Sequence, residues 1–156
     1  MLDLENLKAS IVLKAMVTGL LKSKADPNFT VEMDSFGYVQ DKLCYGCAAT
    51  VTLVEMFGER RSASELMLGY VKPETYRFEI IPAFLSNILP NTQDSLFMLE
   101  IAVDSARLGD VSSLIELLTG EGNTSFDDRW ALEDGNWEKC IPEIEATIAE
   151  MIAAGY

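Results

Sequence analysis

The first two dozen residues carry apolar side chains every three or four positions, as on one face of a helix. These apolar positions are Leu4, Leu7, Ile11, Met16 and Leu20. We therefore predict a first helix from about Asp3 to Ser23, with Asp3 as its N-cap. Beyond a turn at Pro27, the alternation from Phe29 to Met33 indicates a short strand.

The segment from Asp41 to Phe57 is the most apolar part of the chain, with charges only near its ends. A helix that is apolar on most sides belongs in the middle of a core. The segment is therefore predicted as a central buried helix that ends at Gly58. Ser62 and Glu65 then have the spacing of a capping box, which marks the start of a further short helix.

Two regions carry weaker patterns. Prolines divide the first of them, where the composition predicts an extended stretch at 76–81 and a short helix at 83–89. The second region, 121–138, is polar and acidic but contains three large aromatic side chains, so we expect an ordered loop or a short helix that these rings anchor. Pro142 follows and is well placed as the first residue of a last amphipathic helix.

Capping residues delimit two helices in the second half of the chain. Asp94 is placed to cap a helix that Gly109 ends, and Asp110 to cap a helix that Gly120 ends. Because almost no linker separates the two, we expect them to form a tight αα-hairpin.

These elements predict an all-α fold. No linker-like shift in composition divides the 156 residues, of which 49% are hydrophobic and 24% charged. We therefore expect a single compact α-helical domain over residues 1–156 with about six or seven helices, and the pattern leaves room for one short β-hairpin.

The charge and the missing histidine exclude several functions. The chain has no His, so it has neither a Ser-His nor a Cys-His catalytic pair and no His-ligated metal. Its formal net charge of −13 repels phosphate backbones and anionic lipid headgroups. The sequence therefore predicts no direct binding to nucleic acid or to membranes, and no cofactor.

The acidity is concentrated in the last third of the chain. Residues 110–156 contain 11 acids but only Arg129 and Lys139 as bases. Within this region, carboxylates and indoles alternate in a candidate partner-binding patch of Asp127, Asp128, Trp130, Glu133, Asp134 and Trp137. Such a patch suits a basic protein partner, with indoles as anchors. The alternatives are that the acids are a solubilising surface and that the indoles hold a loop to the core.

Cys44 and Cys47 form a C-x-x-C motif, which is the clearest candidate for chemistry. The motif resembles that of thioredoxin-like proteins, which implies a reversible disulfide with a thiolate stabilised at a helix N-terminus. No catalytic residue is predicted apart from this alternative redox pair, since cysteines beside Ala48 and Ala49 also suit a close helix contact in a core. Cys140 is remote in sequence, and we predict no metal site.

The sequence therefore favours a cytoplasmic, non-enzymatic interaction protein of the inhibitor, immunity or adaptor type that binds a basic partner. The apolar run from Ile11 to Leu21 lacks the preceding positive charge and the cleavage site of a signal peptide. An odd number of cysteines fits a reducing compartment. The alternative function is a thiol-dependent redox protein that uses Cys44 and Cys47, and a homo-oligomer is compatible with either.

Overall fold

The computed structural model describes residues 6–70, 93–120, 122 and 124–156. Within them the chain forms six helices and three strands. In chain order they are α1 (Ala9–Ala25), β1 (Phe29–Val31), β2 (Tyr38–Gln40), β3 (Leu43–Gly46), α2 (Ala48–Phe57), α3 (Ala63–Tyr70), α4 (Gln93–Arg107), α5 (Val111–Thr119) and α6 (Trp137–Ala153). No helix of these ranges is both long and apolar enough to cross a membrane.

A three-stranded mixed sheet shows that the all-α prediction is wrong. The strands lie in the order β1-β3-β2, with β3 parallel to β1 and antiparallel to β2. Helices dominate, but the fold is mixed α/β and the sheet is more than the single hairpin that the sequence allowed. Asp41 and Lys42 join β2 to β3 with positive φ angles of 52° and 65°, the backbone of a two-residue hairpin turn.

The predicted central helix is wrong over its first part for the same reason. Leu43–Gly46 is the middle strand of the sheet, and the helix α2 begins only at Ala48. On one side Cys44 pairs with Phe29, and on the other it pairs with Val39. Pairing with β1 and β2 satisfies the backbone hydrogen bonds of this segment, so it does not need to form a helix to satisfy them.

The predicted helix caps at Ser62, Asp110 and Gly120 are confirmed, whereas Asp94, predicted as an N-cap, lies within α4, which begins at Gln93. The Ser62 hydroxyl accepts a hydrogen bond from the N–H of Glu65 at 3.1 Å, and the Glu65 carboxylate accepts one from the N–H of Ser62 at 3.3 Å. Asp110 caps α5 through the N–H of Ser113 at 3.0 Å. Gly120 ends α5 with a φ of 76°.

Other boundaries differ from the prediction. The helix α1 begins at Ala9, and Asp3 lies outside the described residues, as do the predicted elements at 76–81 and 83–89. The last helix begins at Trp137 rather than at Pro142, which occupies its sixth position. Because Pro142 is exposed, water can satisfy the helix carbonyl that loses its N–H partner.

The core forms around α1, which packs against α2 and α6. Leu13, Met16 and Leu20 are fully buried on its inner face. A Cβ atom at Gly19 would lie only 2.6 Å from the carbonyl oxygen of Val51, so the absent side chain allows α1 and α2 to approach closely. This packing fixes the N-terminus of α2, where one end of the candidate site lies.

Candidate functional site

A cavity of about 440 Å³ opens at the N-terminus of α2, and we call it the acidic cleft. Three stretches of chain line it together with the N-cap of α2. They are the connection between β1 and β2, the C-terminal half of α4, and the segment that precedes α6. The lining residues are Met33, Asp34, Ser35, Phe36, Cys47, Asp104, Arg107, Leu132, Glu133 and Asp134.

Trp130 holds the segment before α6 against the end of α4. Its buried indole Nε1–H donates a hydrogen bond to the carbonyl of Ala106 at 3.0 Å. Gly109 has a φ of 76°, and a Cβ atom there would lie 2.1 Å from the carbonyl oxygen of Trp130, so the two backbones are in direct contact. The N–H of Leu132 donates to the carbonyl of Arg107 at 3.3 Å. These contacts bring the next two residues of the chain into the cleft.

The connection between β1 and β2 is held from two sides. The carboxylate Oδ1 of Asp134 accepts a hydrogen bond from the backbone N–H of Met33 at 2.7 Å. The Thr50 hydroxyl on α2 donates to the carbonyl of Phe36. The walls of the cleft are therefore joined by hydrogen bonds rather than left as independent loops.

Carboxylates outnumber cations in the cleft. Asp34, Asp104, Glu133 and Asp134 line it, and Arg107 is its one cation among the described residues. The Nε of Arg107 lies 3.0 Å from Oδ1 of Asp104. No ion pair among the described residues engages Asp34 or Glu133, and both are exposed. The cleft therefore presents uncompensated negative charge to the solvent.

The floor and walls of the cleft are partly apolar. Met33 and Leu132 are buried core residues, and Phe36 is half-buried against the same core. An apolar surface beneath exposed carboxylates suits a ligand with an aliphatic stem and a positively charged end.

The two cysteines of the C-x-x-C motif are free, buried and differently surrounded. The Cys44 sulfur lies 3.8 Å from the carbonyl of Ser64, and burial, aided by the charge of Asp26, raises the pKa of Cys44 to about 11. The Cys47 sulfur lies 3.9 Å from the hydroxyl of Thr50 and lines the cleft. The Cys44 thiol therefore contacts a backbone carbonyl, whereas the Cys47 thiol contacts a side-chain hydroxyl.

Burial also raises the pKa of Cys47. Hydrogen bonds from Thr50 and the backbone of Ala49, together with the charge of Arg107, act in the opposite direction but do not overcome it. Both cysteines therefore sit in surroundings that favour the neutral thiol, whereas the thioredoxin-like resemblance implies a stabilised thiolate.

The structure divides the predicted acidic patch into three parts. Glu133 and Asp134 lie in the acidic cleft, whereas Asp127 and Asp128 are exposed but do not line it. Trp130 and Trp137 are each only 6% exposed and belong to the core. Neither indole is therefore available on the surface, and Trp130 instead positions the carboxylates that follow it.

Sequence reasoning missed Asp34, Asp104 and Arg107. The turn composition around Asp34 was a local signal, and Asp104 and Arg107 have the i, i+3 spacing of a helical ion pair. Nothing local indicates that these two segments meet. In the described ranges, no three His, Cys, Asp or Glu side chains are grouped so that they could hold a metal ion.

Comparison of the chain with models of known protein families, with curated proteins and with solved structures finds no match. The candidate function therefore rests on the geometry and the charge of the cleft.

Proposed function

We propose that this protein is a non-enzymatic interaction module that binds a basic protein partner through the acidic cleft. One lysine or arginine side chain of the partner enters the cleft. The observation that carries the proposal is a pair of exposed carboxylates, those of Asp34 and Glu133, which line one cavity and join no ion pair with another described residue.

The apolar lining supports a side chain rather than a small inorganic cation. The half-buried ring of Phe36 offers contact to the methylene groups of a lysine or arginine stem, while the carboxylates receive its charged end. The backbone that carries Asp34 is held by the hydrogen bonds of Asp134 and Thr50, so it loses little conformational freedom when the cation binds. Charge complementarity at a rim of this kind mainly raises the association rate and specifies the partner.

The charge of the whole chain supports the same class of partner. A net charge of −13 attracts basic proteins over a distance of about 8 Å at physiological ionic strength. Exposed Asp127 and Asp128 add to this field without lining the cleft. Nucleic acids and anionic lipid surfaces are themselves negatively charged, so the same charge repels them.

The proposed compartment is the cytoplasm. The three cysteines are free, which suits a reducing environment, and Cys44 and Cys47 lie in surroundings that favour neutral thiols. An inhibitor, immunity protein or adaptor that docks on a basic surface would be consistent with this setting.

A defined probe tests the proposal. An acetylated and amidated peptide with a single lysine is titrated into the labelled protein, with the same peptide carrying norleucine as the control. We expect the amide resonances of Met33 and Glu133 to shift with the lysine peptide alone, and the shifts to shrink as salt rises. Equal shifts with both peptides, or shifts confined to residues outside the cleft, would contradict the proposal.

A further inference from the structure

The extended backbone of β3 separates the two cysteines of the C-x-x-C motif. Cys44 is the second residue of β3, which continues to Gly46. Cys47 follows, also with an extended backbone, at a φ of −89° and a ψ of 177°. Because an extended chain advances by about 3.3 Å per residue, the Cα atoms of the two cysteines are about 10 Å apart. A disulfide needs two Cα atoms within about 7 Å of each other, so the pair cannot be bridged while β3 is extended.

The two sulfur atoms also lie on opposite sides of the strand. Side chains alternate along an extended chain, so residues three positions apart point in opposite directions. The contacts agree with this alternation. The Cys44 sulfur lies against α3, 3.8 Å from the carbonyl of Ser64, whereas the Cys47 sulfur lies against α2, 3.9 Å from the hydroxyl of Thr50. A helix over the same residues would instead have placed both sulfurs on one face.

A bridge between the two cysteines requires the sheet to come apart. Tyr45 and Gly46 must leave the extended conformation before the two Cα atoms can approach. Both residues then lose their partners on β1, and Tyr45 also loses its pairing with Tyr38 of β2. In the part of the chain that the structure describes, β1 and β2 pair with β3 alone, so the loss of β3 removes the sheet. The connection between β1 and β2, which lines the acidic cleft, then loses both strands that flank it.

We infer that this fold and a Cys44–Cys47 disulfide exclude each other, so that the pair is a redox-sensitive switch: the reduced chain folds as described, and the oxidised chain cannot form β3. The exclusion acts in both directions. Because the disulfide disfavours the fold, the fold disfavours the disulfide by the same factor. Folding therefore keeps the motif reduced under conditions that oxidise it in the unfolded chain. The inference does not depend on the proposed function.

The oxidant in this switch is a small-molecule disulfide such as oxidised glutathione. The thiolate of one cysteine attacks it, which forms a mixed disulfide and releases one glutathione thiolate. The thiolate of the other cysteine attacks the mixed disulfide and releases the second glutathione thiolate. Two protein thiols are thus oxidised to one disulfide, one glutathione disulfide is reduced to two thiols, and the two protons pass from the protein to glutathione.

A glutathione titration tests the exclusion. It uses the full chain with Cys140→Ala, in which Cys44 and Cys47 are the only thiols. The chain is equilibrated with graded ratios of oxidised to reduced glutathione, in native buffer and in denaturant. Free thiols are counted by mass spectrometry after acid quenching and alkylation. The ratio that oxidises half of the pair should be at least about a hundredfold higher in native buffer than in denaturant. Equal ratios in the two conditions would overturn the inference.

A second measurement starts from the oxidised chain. The disulfide is formed in denaturant, and the denaturant is then removed. The amide resonances that Tyr45 and Gly46 have in the folded, reduced chain should be absent and should return when a reductant is added. A chain that refolds to these resonances with its disulfide intact would overturn the inference.

The matched control for refolding is Cys44→Ala in the same Cys140→Ala chain, which forms no intramolecular disulfide. Its unmodified fraction, taken through the same steps, should refold without reductant. The glutathione titration needs no change at either cysteine of the motif, so it decides between the outcomes even where Cys44→Ala does not fold.

Discussion

The carboxylate of Asp134 accepts a hydrogen bond from the backbone N–H of Met33 at 2.7 Å, although 101 positions of sequence separate the two residues. The bond joins the connection between β1 and β2 to the segment before α6. Each of these segments contributes an exposed carboxylate to the cleft, Asp34 from one and Glu133 from the other, so this contact joins the two segments that carry them.

Replacing Asp134 with Ala should lower the free energy of unfolding by about 1–3 kcal/mol, the usual cost of losing a hydrogen bond to a charged group. Asp134→Asn keeps an acceptor and should cost less. Denaturant unfolding measures both. Asp128→Ala is the control, because Asp128 is exposed and outside the cleft, and it should stay within about 0.5 kcal/mol. Equal losses for Asp134→Ala and Asp128→Ala would show that the bond contributes nothing.

The contact between Gly109 and Trp130 can be tested against a second glycine of the same backbone conformation. Gly109 and Gly120 both have a φ of 76°, but a Cβ atom would meet the Trp130 backbone at Gly109 and nothing within 4 Å at Gly120. Gly120→Ala should cost about 1–2 kcal/mol from the backbone conformation alone.

Gly109→Ala should lower the free energy of unfolding by at least ~2 kcal/mol more than Gly120→Ala does, because the backbone of the segment before α6 must move. Thermal and denaturant unfolding of the two variants give the comparison. If the two alanines destabilise equally, the close approach of Gly109 to Trp130 has no energetic consequence.

Local signals predicted several caps of this fold, though not the start of α4, and they did not predict its sheet. Ser62 with Glu65, and Asp110 with Gly120, act within a few residues of one another, so their roles are visible in the sequence. The strand β3 is short and apolar, and such a run has the same pattern as part of a buried helix. Its parallel pairing with β1 is non-local and leaves no mark in either segment.

The cleft was predictable only in part for a related reason. The acidic segment that contains Glu133 and Asp134 stands out in the sequence, and so does Cys47. Asp34 and Arg107 join them only because distant segments fold together. The indole of Trp130 suggested an exposed anchor, yet an aromatic ring in a polar segment holds a loop to a core as readily as it binds a partner.

The surroundings of the cysteines predict the order in which they react. Since the pKa of Cys44 is raised from 9.0 to about 11, its thiolate fraction near neutral pH falls by about two orders of magnitude. Burial also raises the pKa of Cys47, and burial with the charge of Glu143 raises that of Cys140, but Cys140 is only half-buried on α6 and is therefore the most accessible of the three. Pulsed alkylation followed by mass spectrometry should label Cys140 first and the other two only in denaturant. Rapid labelling of Cys47, or a Cys44–Cys47 disulfide that forms reversibly, would favour the redox function.

The raised pKa of Glu100 leads us to expect that the stability of the protein depends on pH. Burial, with the charge of Asp104 four residues along α4, raises the pKa of Glu100 above its ordinary value of 4.5. The folded state therefore holds this proton more tightly than the unfolded state does. The protonated Glu100 carboxyl therefore stabilises the folded state at low pH, and this stabilisation is lost as the pH rises from about 4.5 through the raised pKa.

Replacing Glu100 with Gln should accordingly raise the melting temperature at pH 7, and the gain should vanish when the pH falls below about 4. Glu145→Gln, at an exposed position on α6, serves as the matched control and should show no such pH-dependent gain. A gain for Glu100→Gln that persists unchanged at low pH would point to packing rather than to charge.

The most direct test of the central claim compares two double variants that each remove two carboxylates. Asp34→Asn with Glu133→Gln neutralises the open walls of the acidic cleft, and Asp127→Asn with Asp128→Asn neutralises an exposed pair outside it. Binding of the single-lysine peptide is measured for both at several salt concentrations. The cleft variant should weaken binding by about fivefold or more and flatten its salt dependence, while the control changes it by less than about twofold. The reverse order, with binding lost in the Asp127 and Asp128 variant and intact in the cleft variant, would contradict the assignment of the cleft as the binding site.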